Sequence, residues 1–315
     1  MTQIPDRFFT RSQLPHLGIT DRQLRRWLEA GLVRRVLHGV YAHAAVPDTL
    51  ETRAEAASLI LPRHAVVVDR SAAWLHGIDA LEPSERGRPP RLEVVSVGGA
   101  QASRRREFVG GKRDLAAHDI VSVCGVRVTT PLRTAMDLAC LRGDARALAV
   151  LDAFMRHCGL CVQDFQRALP RFKGRRGVTQ VRRLAPLASA LAESPGESWC
   201  RMAILRDGLP APMLQWEIAV DGRVLWRLDH AYPEWRIAVE YDGEEFHGPE
   251  HAVRDQRRRA WLAAHGWHVI VVRKEDLAGE RLSAWLDELR AVIRERSAVA
   301  KRRYAREAVD RQWRR

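Results

Sequence analysis

The chain has 315 residues, of which 46% are apolar and 29% charged. That is enough apolar surface for compact cores and too much length for one ordinary domain, so two or three domains are expected and a disordered polyelectrolyte is excluded. The formal net charge of +13 favours a polyanionic partner over an acidic small molecule. Four of the 52 basic residues are lysines (Lys112, Lys173, Lys274 and Lys301), leaving 48 arginines. A GC-rich coding sequence also produces such a skew, so the net charge carries the argument rather than the arginine count. Five cysteines (Cys124, Cys140, Cys158, Cys161, Cys200) form neither a disulfide framework nor a zinc spacing and read as reduced thiols. The N-terminus has no signal-peptide core and no apolar run reaches the roughly 18 residues of a membrane span, so a cytoplasmic protein is expected.

In chain order, Phe9-Thr10-Arg11-Ser12-Gln13-Leu14 predicts a short capped helix. Thr20-Asp21 then caps a second helix through Ala30, closed by Gly31. Leu24, Trp27 and Leu28 form its buried stripe, and Arg22, Arg25 and Arg26 lie off it. Leu32 to Tyr41 reads as two short strands forming a basic wing with Arg34 and Arg35. Helix, turn, helix, wing is a DNA-reading layout. The phrase Leu28-Glu29-Ala30-Gly31-Leu32-Val33-Arg34-Arg35-Val36-Leu37-His38-Gly39-Val40-Tyr41-Ala42 resembles the N-terminal winged helix of AbiEi-type antitoxins of type IV toxin–antitoxin systems. The resemblance implies a transcriptional-repressor or antitoxin role through promoter binding; a winged helix used for protein contacts is the competing reading.

Residues 51–190 read as an α/β unit. Helical patterns cover Thr52–Leu61 and Arg70–Gly77, strands cover Ala65–Val68, Leu92–Val97, Val121–Val123 and Arg127–Thr130, and Pro131 opens a further helix. The phrases Ser71-Ala72-Ala73-Trp74-Leu75-His76-Gly77 and Thr130-Pro131-Leu132-Arg133-Thr134-Ala135-Met136-Asp137-Leu138 resemble the middle part of the same antitoxin family. His76 and Asp137 read as structural hydrogen-bonders rather than catalysts. Two basic loops, Arg104–Arg106 and Arg171–Arg176, suit either phosphates or open solvent. Ala185–Pro195 reads as a helix and boundary.

The most informative stretch is Arg227 to Gly243, a hairpin about Glu234-Trp235 that places Asp229 opposite Glu240 and Arg227 opposite Asp242. Gathered carboxylates repel, and a cation relieves them. A purely structural reading instead pairs Asp229 with Arg236 and Asp242 with Arg227. A helix over Gly196–Leu205 and a strand over Leu214–Val220 precede the hairpin. A helix over Arg254–His265 and a buried strand over Trp267–Val272 come after it. Pro195-Gly196-Glu197, Leu228-Asp229, Val239-Glu240-Tyr241-Asp242-Gly243, Phe246-His247, Arg254-Asp255 and Gly266-Trp267-His268-Val269 together resemble the PD-(D/E)XK restriction-endonuclease-like fold, in its branch similar to the very-short-patch-repair (Vsr) endonuclease.

That resemblance implies Mg²⁺ or Mn²⁺ on Asp229 and Glu240, with Glu197 as an outer ligand and His247 as general acid or base. Arg254, Arg257 and Arg258 would hold phosphates. The family motif expects a lysine two residues after the Glu. Here Asp242 stands in that position, so Lys274 or His247 would have to substitute.

The expected fold class is α/β (α+β overall), in four parts: a winged helix-turn-helix over 1–45, an α/β middle domain over 46–190, a Vsr-like mixed sheet flanked by helices over 191–280, and a basic helix over 281–315. The expected function is a DNA-binding protein whose metal-dependent endonuclease-like domain hydrolyses phosphodiester bonds. The alternative is a non-enzymatic antitoxin-like repressor with a degenerate nuclease domain. Partners expected are double-stranded DNA and a cognate toxin, with no membrane.

Overall fold

The computed structural model describes residues 3–80, 91–103, 105–141, 143–243 and 249–312, with the side chains of 249–255 and 299–312 outside that description. The chain is mixed α/β, and its described strands form three sheets. It divides into two compact units, residues 1–141 with 157–181, and residues 142–156 with 182–315.

The first unit opens on β1 (Phe9–Thr10), a single 3-10 turn (Arg11–Gln13), α1 (Asp21–Glu29), β2 (Val33–Leu37) and β3 (Val40–His43). Thr20 caps α1 in a capping box: its Oγ1 accepts the Gln23 N–H at 3.2 Å, and Gln23 Oε1 accepts the Thr20 N–H at 2.8 Å. Gly31 then takes the left-handed conformation, φ +67°, that turns the chain into the wing. The capped helix expected at Phe9–Leu14 is a strand followed by one 3-10 turn. Phe9 and Thr10 pair with Tyr41 and Val40, and the Phe9 and Tyr41 rings stack at 5.7 Å. Ladder bonds and ring burial there outweigh a helix too short to nucleate.

The wing sheet, ordered β1-β3-β2, serves two cores. Phe9, Val33 and Tyr41 pack with Leu14, Ile19 and Leu24, while Val36, Leu37, Val40 and Ala42 pack with Ala54, Leu92 and Val128 further along the chain. The winged helix is therefore welded to the middle α/β sheet through a shared core.

The next elements are α2 (Leu50–Ser58), β4 (Ala65–Val67), α3 (Asp69–Leu75), β5 (Leu92–Ser96), β6 (Phe108–Lys112), β7 (Ile120–Val123), β8 (Val126–Thr129) and α4 (Pro131–Leu141). The five strands pair in the order β6-β5-β4-β8-β7, with β4 central. Its residues face apolar clusters on both sides, which is why Ala65–Val68 is apolar throughout. Strand β6 has no counterpart among the expected elements because its two glycines give a weak strand signal. Gly110 sits at φ +145°, where a Cβ would lie 1.8 Å from the Val94 carbonyl oxygen, so the pairing of β6 with β5 demands glycine.

Helices α5 (Asp144–Cys158), α6 (Val162–Ala168) and α7 (Val178–Leu184) come next. In the basic loop at 171–176, exposed Arg171 and half-buried Arg175 each pair with a buried acid, while Lys173 and Arg176 are exposed. Arg171 donates to Asp119 at 2.8 Å, and Arg175 to Asp137 at 2.5 Å. Arg133, itself buried, joins both acids, at 2.8 Å to each. Arg113 adds a bond to Asp137 and a bidentate pair to Asp69. The Phe172 ring lies against the guanidinium groups of Arg133 and Arg175, with centroids at 5.3 and 4.9 Å. Burial alone pushes the Asp119 carboxyl up, but Arg171, Arg133 and the Ala116 N–H together hold it below the ordinary range. His76, as expected, is a structural bonder, its Nε2 lying 2.8 Å from the Thr129 carbonyl oxygen.

The helix expected over Ala185–Pro195 is a 3-10 turn (Ala185–Leu187) and a loop. Helix α8 (Pro195–Arg206) starts at a Ser194 cap with Pro at its first position. The remaining elements are β9 (Met213–Val220), β10 (Arg223–Tyr232), β11 (Ile237–Tyr241), α9 (Pro249–Ala264), β12 (His268–Val272) and α10 (Gly279–Gln312). Their sheet runs β12-β11-β10-β9, parallel only between β11 and β12, which α9 connects. Cys200 and Ile204 of α8 and Trp285, Leu286, Leu289 and Ile293 of α10 pack with Ile237, Val239 and Ile270. Leu262 of α9 packs with Leu228, Ala231 and Ala238. Within the same unit, Asp152 of α5 accepts from Ser198 Oγ and Arg201 Nη2 of α8, both at 2.6 Å.

Asp119→Ala leaves Arg133 buried with its charge half-compensated, and should cost about 3–5 kcal/mol of stability in denaturant titration. Arg105→Ala, on an exposed side chain, should stay within about 0.5 kcal/mol. Equal effects from the two variants would refute a structural role for the network.

Candidate functional site

Two regions collect the residues singled out from the sequence. The first is the surface of α1 and the wing. Leu24 is buried and Trp27 and Leu28 are partly buried on the core side, while Arg22, Arg25 and Arg26 are exposed. Among the described residues, no carboxylate pairs with these three arginines. The wing arginines differ from each other. Arg35 is exposed, with its guanidinium 5.9 Å from the Tyr41 ring centroid. Arg34 is half-buried and donates from Nη2 to the Val46 carbonyl oxygen at 2.9 Å, so it fastens the wing to the following loop.

The second region is a cleft of about 500 Å³ in the C-terminal sheet, lined by Gln215, Glu217, Trp226, Asp229, Glu240 and Arg258 among others. The observed register, His230 opposite Val239 and Tyr232 opposite Ile237, continues to place Asp229 opposite Glu240 as the hairpin reading expected. A backbone bond locks the pair, because the Tyr241 N–H donates to Asp229 Oδ2 at 3.0 Å. The Tyr241 ring rests on Gly196 at the start of α8, where a Cβ would fall 2.0 Å from the ring. Only glycine lets helix and strand approach this closely, and that approach brings Glu197 to the site. Glu197 is 7% exposed; its Oε2 accepts from Gln215 Nε2 at 2.8 Å and from the Glu193 N–H at 2.9 Å.

Burial first, then the charges of Glu240 and Glu197, push the Asp229 carboxyl up to about 7. Next to it in the chain, His230 is buried and pushed down to about 4; its ring nitrogens lie 3.1 Å from the Val239 carbonyl oxygen and 3.0 Å from that of Glu197. Neither His230 nor Gln215 stands out in the sequence. Their roles arise from packing, which no local pattern encodes.

Other expected site residues fall differently. Asp242 points to Arg273, whose Nε lies 3.3 Å from its Oδ2. Lys274 is exposed at the start of a 3-10 turn (Lys274–Leu277) and is not among the residues lining the cleft. His247 lies outside the described residues, as does the side chain of Arg254. Arg257 is exposed on α9. Arg258, expected to meet phosphate, instead grips Glu240, with Nη1 2.5 Å from Oε2 and Nη2 2.7 Å from Oε1. The structural pairings expected for the hairpin are replaced: Arg227 pairs with Glu193 at 2.6 Å, and Arg236 donates to the His265 carbonyl oxygen.

The donor set bears directly on the implied metal. Two buried carboxylates beside half-buried Asp229 suit a hard cation, yet Glu240 is held bidentately by Arg258 and Glu197 is held by two N–H donors. Among the described residues, no three Asp, Glu, His or Cys side chains come together as a metal-holding group. This arrangement does not fit a divalent ion shared by Asp229 and Glu240, and no catalytic step is drawn through one.

The pH dependence of Asp229 and His230 has opposite signs. A carboxyl raised from 3.8 to about 7 favours the folded state while protonated, so stability falls as pH rises across that window. A histidine lowered from 6.5 to about 4 costs stability as pH falls across that window. The two slopes oppose each other in the native chain. Asp229→Asn keeps an acceptor for the Tyr241 N–H and removes one slope. It should gain about 2–4 kcal/mol at about pH 8 and lose that advantage toward about pH 4, as read by thermal unfolding. A gain independent of pH would mean that Asp229 carries no such strain.

Two stretches of the chain match known families, and the first of them contains α1 and the wing. The family described as "Transcriptional regulator, AbiEi antitoxin" matches residues 6–43. The family described as "AbiEi antitoxin C-terminal domain" matches residues 64–189. Uncharacterized proteins of two Mycobacterium tuberculosis strains, CDC 1551 / Oshkosh and H37Rv, are each 35% identical over 278 residues, covering 84% of this chain and 95% of the relative. The chain belongs to the family of these mycobacterial proteins and carries both AbiEi antitoxin domains.

Proposed function

We propose that the chain is a DNA-binding, antitoxin-like transcriptional regulator, acting through α1 and the wing on double-stranded DNA. The carrying observation is the division of α1 into a buried Leu24 side and an exposed face bearing Arg22, Arg25 and Arg26. A short helix with this division, followed by a β-wing, offers its arginines to a major groove and its wing to the adjoining backbone. Membership among AbiEi antitoxin domains supports the same reading and adds a protein toxin as the second partner. No described helix is long and apolar enough to cross a membrane.

The C-terminal sheet takes the role of a binding and scaffolding unit in this reading. A metal-dependent endonuclease is the competing reading, and the crowding of Asp229, Glu240 and Glu197 is the observation in its favour. The placement of Lys274 outside the cleft lining and the pairing of Asp242 with Arg273 weigh against it.

Gel-shift titration against the DNA upstream of the chain's own coding sequence tests the proposal. Arg25→Ala and Arg26→Ala should each weaken binding by about 1–3 kcal/mol where they read bases. Where they meet phosphate, each should lower the salt slope by about 1. Arg34→Ala should lower thermal stability and leave the salt slope unchanged. Binding that survives Arg22→Ala, Arg25→Ala and Arg26→Ala combined sinks the α1 interface. Nicking of supercoiled plasmid in Mg²⁺ or Mn²⁺, abolished by Asp229→Ala and by Glu240→Ala, would establish the endonuclease instead.

A further inference from the structure

A cluster of buried carboxylates needs positive charge nearby, and here the chain supplies it. Arg258 meets Glu240 fork to fork, at 2.5 and 2.7 Å, and Nη2 also donates to the Arg227 carbonyl oxygen at 2.8 Å. The planar guanidinium matches both carboxylate oxygens at once, a geometry that an ammonium cannot copy. Its position is built into the fold. Arg258 stands one turn before Leu262, which is 1% exposed in the core beneath α9, and α9 joins β11 to β12. The side chain is thus aimed by the same crossover that closes the sheet.

We propose that Arg258 is the resident counter-cation of this cluster and takes the place of a divalent ion, so that the cleft of the native chain is closed to Mg²⁺ and Mn²⁺. A divalent ion on Glu240 needs carboxylate oxygen at about 2.0–2.6 Å. Both Glu240 oxygens already accept from Arg258, and an incoming dication would meet a guanidinium of like charge. Arg227, the other basic residue among the described residues lining the cleft, is paired with Glu193. This inference is independent of whether the chain binds DNA.

The test uses full-length protein stripped of metal with EDTA and titrated with MnCl₂ and then MgCl₂, read by calorimetry and by thermal unfolding. The native chain should bind neither ion through Glu240, so Glu240→Gln should leave any weak Mn²⁺ response unchanged. Arg258→Met, similar in length and uncharged, should acquire Mn²⁺ affinity at least about tenfold above the native chain, with a matching rise in Tm. Adding Glu240→Gln to it should abolish that gain, and Arg258→Lys, which keeps the charge without the fork, should gain less than Arg258→Met. Should Arg258→Met lose its circular dichroism signature, Arg258→Gln, which keeps a donor for the Arg227 carbonyl, serves in its place. Mn²⁺ binding by the native chain that Glu240→Gln removes would overturn the proposal. So would a folded Arg258→Met or Arg258→Gln variant that gains no Mn²⁺ affinity.

Discussion

The pairing of arginine with buried carboxylate is the interaction on which both units depend. Asp119 and Asp137 sit almost without solvent among Arg113, Arg133, Arg171 and Arg175; Asp152 is held by Arg201 and Glu240 by Arg258. Each buried acid would be costly alone, and each is offset by arginine: Glu240 by two nitrogens of Arg258, Asp119 and Asp137 by single contacts from several guanidinium groups, and Asp152 by one nitrogen of Arg201. Arginine suits this role because its charge is weakly hydrated and its donors are pre-arranged. The scarcity of lysine therefore has a structural side, whatever the coding bias: a guanidinium can reach two acids with different nitrogens, as Arg133 does for Asp119 and Asp137.

Asp229 is the exception, and the exception defines the cleft. Among the described residues its carboxylate accepts a backbone N–H from Tyr241 rather than an arginine fork, and acids crowd it. Arg258 lowers the cost but spends its fork on Glu240. The outcome is a carboxyl that titrates near neutrality beside a histidine held neutral by burial. The two penalties run in opposite directions with pH, so they offset each other in part. Such an arrangement persists only where the backbone over-determines it, and here the Gly196–Tyr241 contact and the hairpin register do so.

Much of this is legible in the sequence, and the failures share a cause. Periodicity and caps reveal α1, the wing, β4, α4 and the hairpin, because those signals are local: Thr20-Asp21 before the helix, Gly31 after it, Pro131 at a first turn. The pairing of Asp229 with Glu240 is also legible, since a turn fixes cross-strand partners by arithmetic. The hidden features depend on contacts between distant residues. Phe9–Thr10 is a strand because Tyr41 and Val40 lie beside it. Strand β6 carries glycine because the Val94 carbonyl leaves no room for a Cβ. Arg171 and Arg175 are paired because Asp119 and Asp137, from other elements, lie beside them. Arg258 reads as a phosphate ligand by charge alone, and only the fold shows its partner to be Glu240.

The same reasoning changes what the net charge of +13 is worth. A sum over the chain treats each arginine as available to a polyanion, yet Arg113, Arg133, Arg171, Arg175, Arg201 and Arg258 are committed to acids inside the molecule. Committed charges contribute little to phosphate binding, since withdrawing one leaves a buried carboxylate behind. The arginines that count are exposed, lack an acidic partner among the described residues and lie on one element, and α1 carries three of them within two turns. Counterion release scales with contacts made at the surface rather than with total charge. The case for nucleic-acid binding therefore rests on one nine-residue helix and its wing, not on the composition of the chain.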